Sequence, residues 1–429
     1  MPTNTPSKTT NHQPAEKRRL RVLISAYACE PNKGSEPGVG WNIATEMAKL
    51  HDVWVLTRAN NRTVIEDELA RHPVPGLSFF YYDLPKWACW WKKGGRGVQL
   101  YYYLWQMTAV SKVRKKHAEI RFDLCHHITF VKYWAPSCLA WLKIPFVWGP
   151  VGGGDSTPVR FLRDAGLKGM IYEIVRDGIR HCAFLDPFVR FTAKRSSSCI
   201  AVTEKTAACV NRLNRSLSPM LITQVGISER ELQEIDQILP AEGKKTEITF
   251  LFVGNLLFLK GVHLGLKAFA ESALSKARFL IVGDGPERRA LESLAEELGI
   301  SGRVHFLGQR SRNEVLSIMK SVDALIHPSL HDSGGFVLVE AMACRKPVLC
   351  LDLAGPALLV PENAGIRVQA DTPVQVSRDI AAGMQRWVAN PELRMRMGDA
   401  GREMIESQLL WSKKTASFSD LYAAVLKDF

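Results

Sequence analysis

Two carboxylates, Asp332 and Glu340, stand eight residues apart in the stretch His331-Asp332-Ser333-Gly334-Gly335-Phe336-Val337-Leu338-Val339-Glu340. A glycine pair lies between them and an apolar helical pattern follows. The spacing therefore predicts Asp332 in a loop and Glu340 about one turn inside a helix. Glycines at such a junction let backbone N–H groups approach a phosphate at the positive end of the helix. Both carboxylates would then face one cleft. The plainer alternative makes Asp332 a helix N-cap and Glu340 a solvated residue. Two more glycine-rich loops follow predicted strands: residues 28–41, with Gly34 and Glu36, and residues 148–155, with Gly152 and Gly153. His126 and His127 close another strand, where adjacent side chains point to opposite faces, so one of them is expected in the core.

Patterns for other chemistries are incomplete. Gly38-Val39-Gly40 lacks the third glycine of a dinucleotide loop, which argues against a nicotinamide enzyme. No Asp-x-Asp pair or histidine cluster points to a catalytic metal. The nine cysteines include no C-x-x-C pair and read as reduced core thiols of a cytosolic protein.

Loops of this kind need strands that end at them. From residue 21 onward, β-rich runs at 22–26, 53–57, 77–82, 124–128, 146–148 and 200–202 follow one another, with a helical pattern at 39–50. The pattern restarts with strands at 248–253, 278–282, 304–307 and 324–327 and helices at 262–273, 287–298, 314–321 and 336–344. Strand and helix in alternation predict parallel sheets covered on both faces, here two doubly wound, Rossmann-like α/β domains facing each other across a cleft. The expected boundaries are a disordered tail at 1–19, a first domain at 20–227, a polar linker at 228–246, a second domain at 247–408 and a closing segment at 409–429.

A chain of 429 residues favours two large domains, and 46% hydrophobic with 23% charged residues is ordinary for a globular protein. No window approaches the roughly 18 unbroken apolar residues of a spanning helix. The basic, apolar run at 17–29 is too short for a signal peptide and reads as a buried first strand. The net charge of +13 is uneven: residues 1–225 carry 32 Lys and Arg against 17 Asp and Glu, and residues 226–429 carry 24 against 26. Such asymmetry points the first half at an anionic partner. Its sharpest concentration is Lys86, Trp87, Trp90, Trp91, Lys92, Lys93 and Arg96, followed by Tyr101, Tyr102, Tyr103 and Trp105. Two readings weigh equally: an anionic membrane interface, or a tryptophan-rich core patch beside a solvated basic helix. Without any RNP, KH or zinc-finger pattern, nucleic acid is not an expected partner.

The segment from Asp332 to Glu340 resembles the acidic-x7-acidic signature of retaining glycosyltransferases of family four, which have the GT-B fold. Phe252-Val253-Gly254-Asn255-Leu256 with Lys260-Gly261, and Val282-Gly283-Asp284-Gly285-Pro286, resemble neighbouring segments of the same family. The resemblance covers nearly the whole chain from Arg21 and is strongest in the second half. It implies that Asp332, where Glu is commonest, meets the donor sugar, that Glu340 meets the ribose, and that Lys260 neutralises the diphosphate beside Asn255, where Arg is usual. It further implies Gly308, Gln309 and Arg310 at the base, Ser333, Gly334, Gly335 and Phe336 along the donor, and Gly34 near its phosphate. Glu36, Gly152 and Gly153 fall on the acceptor side and His126 at the cleft, while Trp411 and Tyr422 lie on closing helices that cross back to the first domain. The implied function is metal-independent, retaining transfer of a hexosyl group from a nucleotide-diphosphate sugar, with no cofactor, to a glycan or lipid-linked acceptor in cell-envelope or exopolysaccharide synthesis. The implied location is the cytoplasm, with the basic patch placing it peripherally on the inner face of the membrane. A GT-B epimerase or phosphorylase, and a non-enzymatic basic membrane- or nucleic-acid-binding protein, are the alternatives.

Overall fold

The computed structural model describes residues 18–92, 94, 97–162, 166–242 and 247–429. Lys93, Arg96, most of the expected tail and the end of the expected linker lie outside the described residues. Seven parallel strands build the first sheet: β1 (Arg21–Ala26), β2 (Asp52–Arg58), β3 (Leu77–Tyr82), β4 (Leu124–Thr129), β5 (Phe146–Val151), β6 (Ser198–Ala201) and β7 (Met220–Leu221). Six build the second: β8 (Ile248–Val253), β9 (Ala277–Val282), β10 (Val304–Gly308), β11 (Ala324–His327), β12 (Val348–Leu351) and β13 (Gly365–Val368). Both have the GT-B, doubly wound architecture read from the sequence. Their central strands are buried along nearly their whole length, as parallel strands covered on two faces must be.

The helices that cover them in the first domain are α1 (Ser35–Leu50), α2 (Arg62–Arg71), α3 (Val98–Thr108), α4 (Val110–Ile120), α5 (Gly166–Cys182), α6 (Pro187–Arg195) and α7 (Glu204–Leu213). The second domain carries α9 (Val262–Glu271), α10 (Arg288–Glu297), α11 (Arg312–Ser321), α12 (Phe336–Ala343), α13 (Ala354–Leu359), α14 (Pro373–Ala389) and α15 (Pro391–Met404). Between the domains lies α8 (Glu229–Gln237), inside the stretch expected to be a polar linker. A reciprocal Ser228–Glu231 capping box starts it, and Leu232 and Ile235 bury its apolar side. The last helix, α16 (Trp411–Asp428), packs against the first domain, burying Trp411, Phe418, Tyr422 and Val425 in a core shared with Val22, Ile24, Ile43 and Val53.

The strand orders decide where a ligand can sit. The first sheet runs β3-β2-β1-β4-β5-β6-β7 and the second β10-β9-β8-β11-β12-β13, so each reverses direction next to its first strand. A crevice opens outside the carboxyl ends of the strands at such a switch point. The loops leaving β1 and β4 therefore define one wall of the site and the loops leaving β8 and β11 the other. The chain crosses between domains twice, and the two crossings are tied together: Ile227 N–H donates to Leu409 O at 3.0 Å and Trp411 N–H donates to Ile227 O at 2.9 Å.

Candidate active site

The two walls meet around a cavity of about 450 Å³. Ser35, Glu36 and Lys132 line it from the first domain, Gln224 from the crossing segment, and Asn255, Lys260, His327, Asp332 and the first turn of α12 from the second domain. Asp332 is its organiser. Its Oδ2 accepts from Lys260 Nζ at 2.7 Å and from His327 Nε2 at 3.2 Å, while its Oδ1 accepts from the N–H groups of Gly334 and Gly335 at 3.1 and 3.0 Å. Burial alone would raise its pKa, but hydrogen bonds and charge from His327 and Lys260 outweigh that and hold it well below the usual carboxylate range. The carboxylate stays ionised throughout neutral and mildly acidic pH.

This geometry corrects one expectation. The Gly334 and Gly335 N–H groups, read from the sequence as phosphate donors, are spent on Asp332 Oδ1, as an N-capping carboxylate would spend them. Gly335 is needed for another reason: its φ of +72° opens α12 from the left-handed region. Gly261 is equally constrained, because at φ +68° an added Cβ would lie 1.9 Å from Pro328 O. That close approach presses the Lys260 loop onto the loop after β11.

Glu340 does not share this cavity. It lines a neighbouring one of about 530 Å³ with Gly34, Trp41, Glu231, Arg312 and Trp411, and Phe336 forms a wall of both. The two acidic residues thus face consecutive compartments of one interdomain crevice, not one pocket, because Glu340 lies beyond Phe336 along α12. Glu340 Oε1 accepts from Arg312 Nε at 2.9 Å, and Arg312 also pairs with Glu231 of α8 at 3.2 Å. Burial pushes Glu340 upward and Arg312 partly offsets it. Its Oε2 has no protein partner among the described residues.

His126 is not at the crevice. It is fully buried in β4, with Nδ1 against Tyr422 Oη and Nε2 against Gly149 O, both at 2.6 Å. Because Gly149 O can only accept, Nε2 carries the proton and Nδ1 accepts from the tyrosine. Burial depresses its pKa to about 4. His127 is buried on the opposite face, beside Tyr102 and Gln106. The alternation rule placed one histidine in the core; α16 covers the other face and buries both.

Glu36 accepts from Phe130 N–H at 2.7 Å and so ties the loop after β4 to the start of α1. Phe130 and Ser35 beside it hold φ of +57° and +61°, a strained backbone of the kind that clusters at functional sites. Gly152 and Gly153 follow β5 and do not line either cavity; Gly152 N–H donates to Val131 O at 2.9 Å. Asn255 lines the first cavity, whereas Gly308, which ends β10, and the exposed Gln309 and Arg310 after it line neither. The basic aromatic segment divides. Trp87 and Trp90 are 80% and 78% exposed, while Tyr102 and Trp105 are fully buried core. Trp91 is half-buried, donating to Ala88 O, and Lys92 stands 5.1 Å from the Tyr101 ring. Lys132, Gln224, His327, Arg312 and Glu231 are the site residues that sequence spacing left unassigned.

Two Rossmann-like domains with a crevice at opposed switch points define the chain as a GT-B protein. Residues 234–404 match the family described as glycosyl transferases group 1. Among curated relatives it is 28% identical over 236 residues to 2-deoxystreptamine glucosyltransferase of Streptomyces kanamyceticus, a match covering 47% of this chain and 58% of that protein. Among solved structures it is similar in fold to sucrose-phosphate synthase of Thermosynechococcus elongatus, with TM-score 0.65 and 20% identity over 96% of this chain and 100% of the other. Anabaena HepE in complex with UDP gives TM-score 0.60 and 16% identity over 94% of this chain and 100% of the other.

Proposed function

We propose that this chain is a retaining glycosyltransferase, moving a hexosyl group from a nucleotide-diphosphate sugar to a glycan or lipid-linked acceptor of the cell envelope. The observation that carries the reading is the Lys260–Asp332–His327 cluster at the meeting of two switch-point crevices. A diphosphate entering the 450 Å³ cavity competes with Asp332 for the Lys260 ammonium. As Lys260 turns toward it, Asp332 Oδ2 becomes free to accept from a sugar hydroxyl. Charge-assisted contacts of this kind are stronger than neutral ones, so the exchange costs little. Glu340, held by Arg312, offers Oε2 to ribose hydroxyls from the adjoining compartment.

In the transfer itself, the bond from the anomeric carbon to the diphosphate oxygen breaks while the acceptor hydroxyl attacks from the same face. The leaving oxygen takes that hydroxyl's proton. Lys260 and the first turn of α12, which lines the cavity, stabilise the charge that develops on the diphosphate. We assign this neutralisation to protein groups, with no cofactor. The UDP held by the similarly folded HepE fits a donor of this class.

The acceptor side favours an amphiphile at an anionic membrane surface. Helix α5 turns Glu173, Arg176 and Arg180 inward, where Thr157 donates to Glu173 and Arg180 donates to Asp155 O. Ile171, Ile174, Val175 and Ile179 on its outer side are 52–68% exposed. A helix in water does the reverse; an apolar stripe on the basic half, which also exposes Trp87 and Trp90, suits an interface with lipid. Among the described residues no helix is long and apolar enough to cross a membrane.

The test is to incubate the protein with UDP-, GDP- and ADP-hexoses and extracted envelope lipids, then determine the anomeric configuration of the product by NMR. Retained configuration in a glycosylated lipid or glycan supports the proposal. Inverted product, or interconversion of the donor without an acceptor, contradicts it.

A further inference from the structure

We infer that Lys132, on the loop after β4, is a donor-binding residue that supplies the second cation to the diphosphate from the opposite domain. The inference rests on the donor class proposed above. Among the described residues, and apart from His327, the cavity's charged lining is two carboxylates, Glu36 and Asp332, and two ammonium groups, Lys132 and Lys260. Lys260 is paired with Asp332 at 2.7 Å and Glu36 accepts from Phe130 N–H, whereas Lys132 makes no ion pair or side-chain hydrogen bond among the described residues. Asn255, on the same wall as Lys260, brings no charge. Without Lys132 the lining would be net negative and would repel a diphosphate; with it the lining is balanced, and the first turn of α12 tips it positive.

The backbone fixes Lys132 in this place. It forms a parallel bridge with Gly152, Tyr133 N–H donates to Gly152 O at 3.1 Å, and Ala135 N–H donates to Lys132 O at 3.1 Å. Gly153, at φ +92°, leaves space along the lysine stem: an added Cβ would sit 3.6 Å from Lys132 Cδ and 2.9 Å from Trp134 Nε1. The glycine pair after β5 thus backs the lysine instead of lining the cavity. Because Lys132 and Lys260 belong to different domains, the clamp is complete only when both domains border the ligand.

Calorimetry with UDP, GDP and ADP, each beside its own nucleoside, tests this in wild type, Lys132→Gln, Lys132→Arg and Lys132→Gln/Asn255→Lys. Lys132→Gln is expected to weaken the diphosphate by about tenfold to a hundredfold, the worth of one charge-assisted contact, and to leave nucleoside affinity unchanged. Its binding should also depend less on salt. Lys132→Arg should hold affinity near wild type, and the double variant should recover it by returning a cation to the opposite wall. Equal diphosphate affinity in Lys132→Gln and wild type overturns the inference, as does equal loss of nucleoside and diphosphate, which marks a structural role. A wild type that binds no nucleoside diphosphate overturns the donor class as well, so the two failures are distinguishable.

Discussion

Lys260 Nζ stands 2.7 Å from Asp332 Oδ2, across 72 residues of sequence, and the two are held there by the close contact of Gly261 with the loop after β11. The pair is partly shielded, with side chains 25% and 14% exposed, so its role in shaping the loop outweighs its modest worth as an ion pair.

Gly261→Ala should therefore damage both fold and site. The new methyl would meet Pro328 O at 1.9 Å in a backbone conformation that side chains rarely adopt. We expect a loss of about 1–3 kcal/mol in stability and weaker nucleotide binding. Denaturant melts and calorimetry on the same preparation check this; an unchanged midpoint would contradict the contact.

Removing Arg312 should expose the burial cost of Glu340. Burial raises the Glu340 pKa and Arg312 counters it, so Arg312→Gln should raise it further. If ionised Glu340 binds the ribose, the acid-side fall in donor affinity should move to higher pH in the variant. Affinity measured from pH 5 to 8 reads the shift directly, and superimposable profiles would remove Glu340 from donor binding.

His126 predicts a pH effect on stability. Its folded pKa of about 4 lies below the ordinary value near 6.5, so between those limits the unfolded chain binds a proton that the fold refuses. Stability should fall as pH drops from about 6.5 to about 4, with about 3 kcal/mol at stake, and should not change on this account above pH 7. His126→Gln can keep both hydrogen bonds without titrating. Its melting temperature should vary less over that window, although His127, depressed to about 3, will retain part of the slope. A pH profile in the variant as steep as that of the wild type would contradict the assignment.

The membrane-facing reading separates from the catalytic one. Ile174→Asp with Ile179→Asp on α5, and Trp87→Ala with Trp90→Ala, change exposed side chains and should alter stability by about 0.5 kcal/mol or less per position. Both pairs should reduce sedimentation with anionic liposomes severalfold while nucleotide binding holds. Liposome binding equal to wild type in both would send the acceptor proposal back to a soluble glycan.

The features legible in the sequence were those with a local cause. Strands such as Leu77–Tyr82 and Ile248–Val253 announce themselves as apolar runs, and Gly335 before an apolar stretch marks the start of α12. What escaped depends on partners far along the chain. His126 looks poised for chemistry until α16, nearly 300 residues later, buries it under Tyr422. Tyr102 and Trp105 look interfacial beside Trp87 and Trp90 until α3 folds them into the core. Helix α8 was masked by its polar composition, although Ser228 and Glu231 carried its capping signal. Lys132 gives no sign in sequence, since only the facing of β4 against β8 and β11 across the crevice brings it near Lys260.

On the proposed function, the Lys260–Asp332 crevice binds the diphosphate of a nucleotide sugar. The most direct test is titration of UDP, GDP and ADP into the wild type and into Lys260→Gln, with circular dichroism confirming that the variant is folded. The wild type should bind at least one of the three, and the variant should bind it about a hundredfold more weakly. Equal affinity in a folded variant, or no binding of any of the three by the wild type, would contradict the proposal.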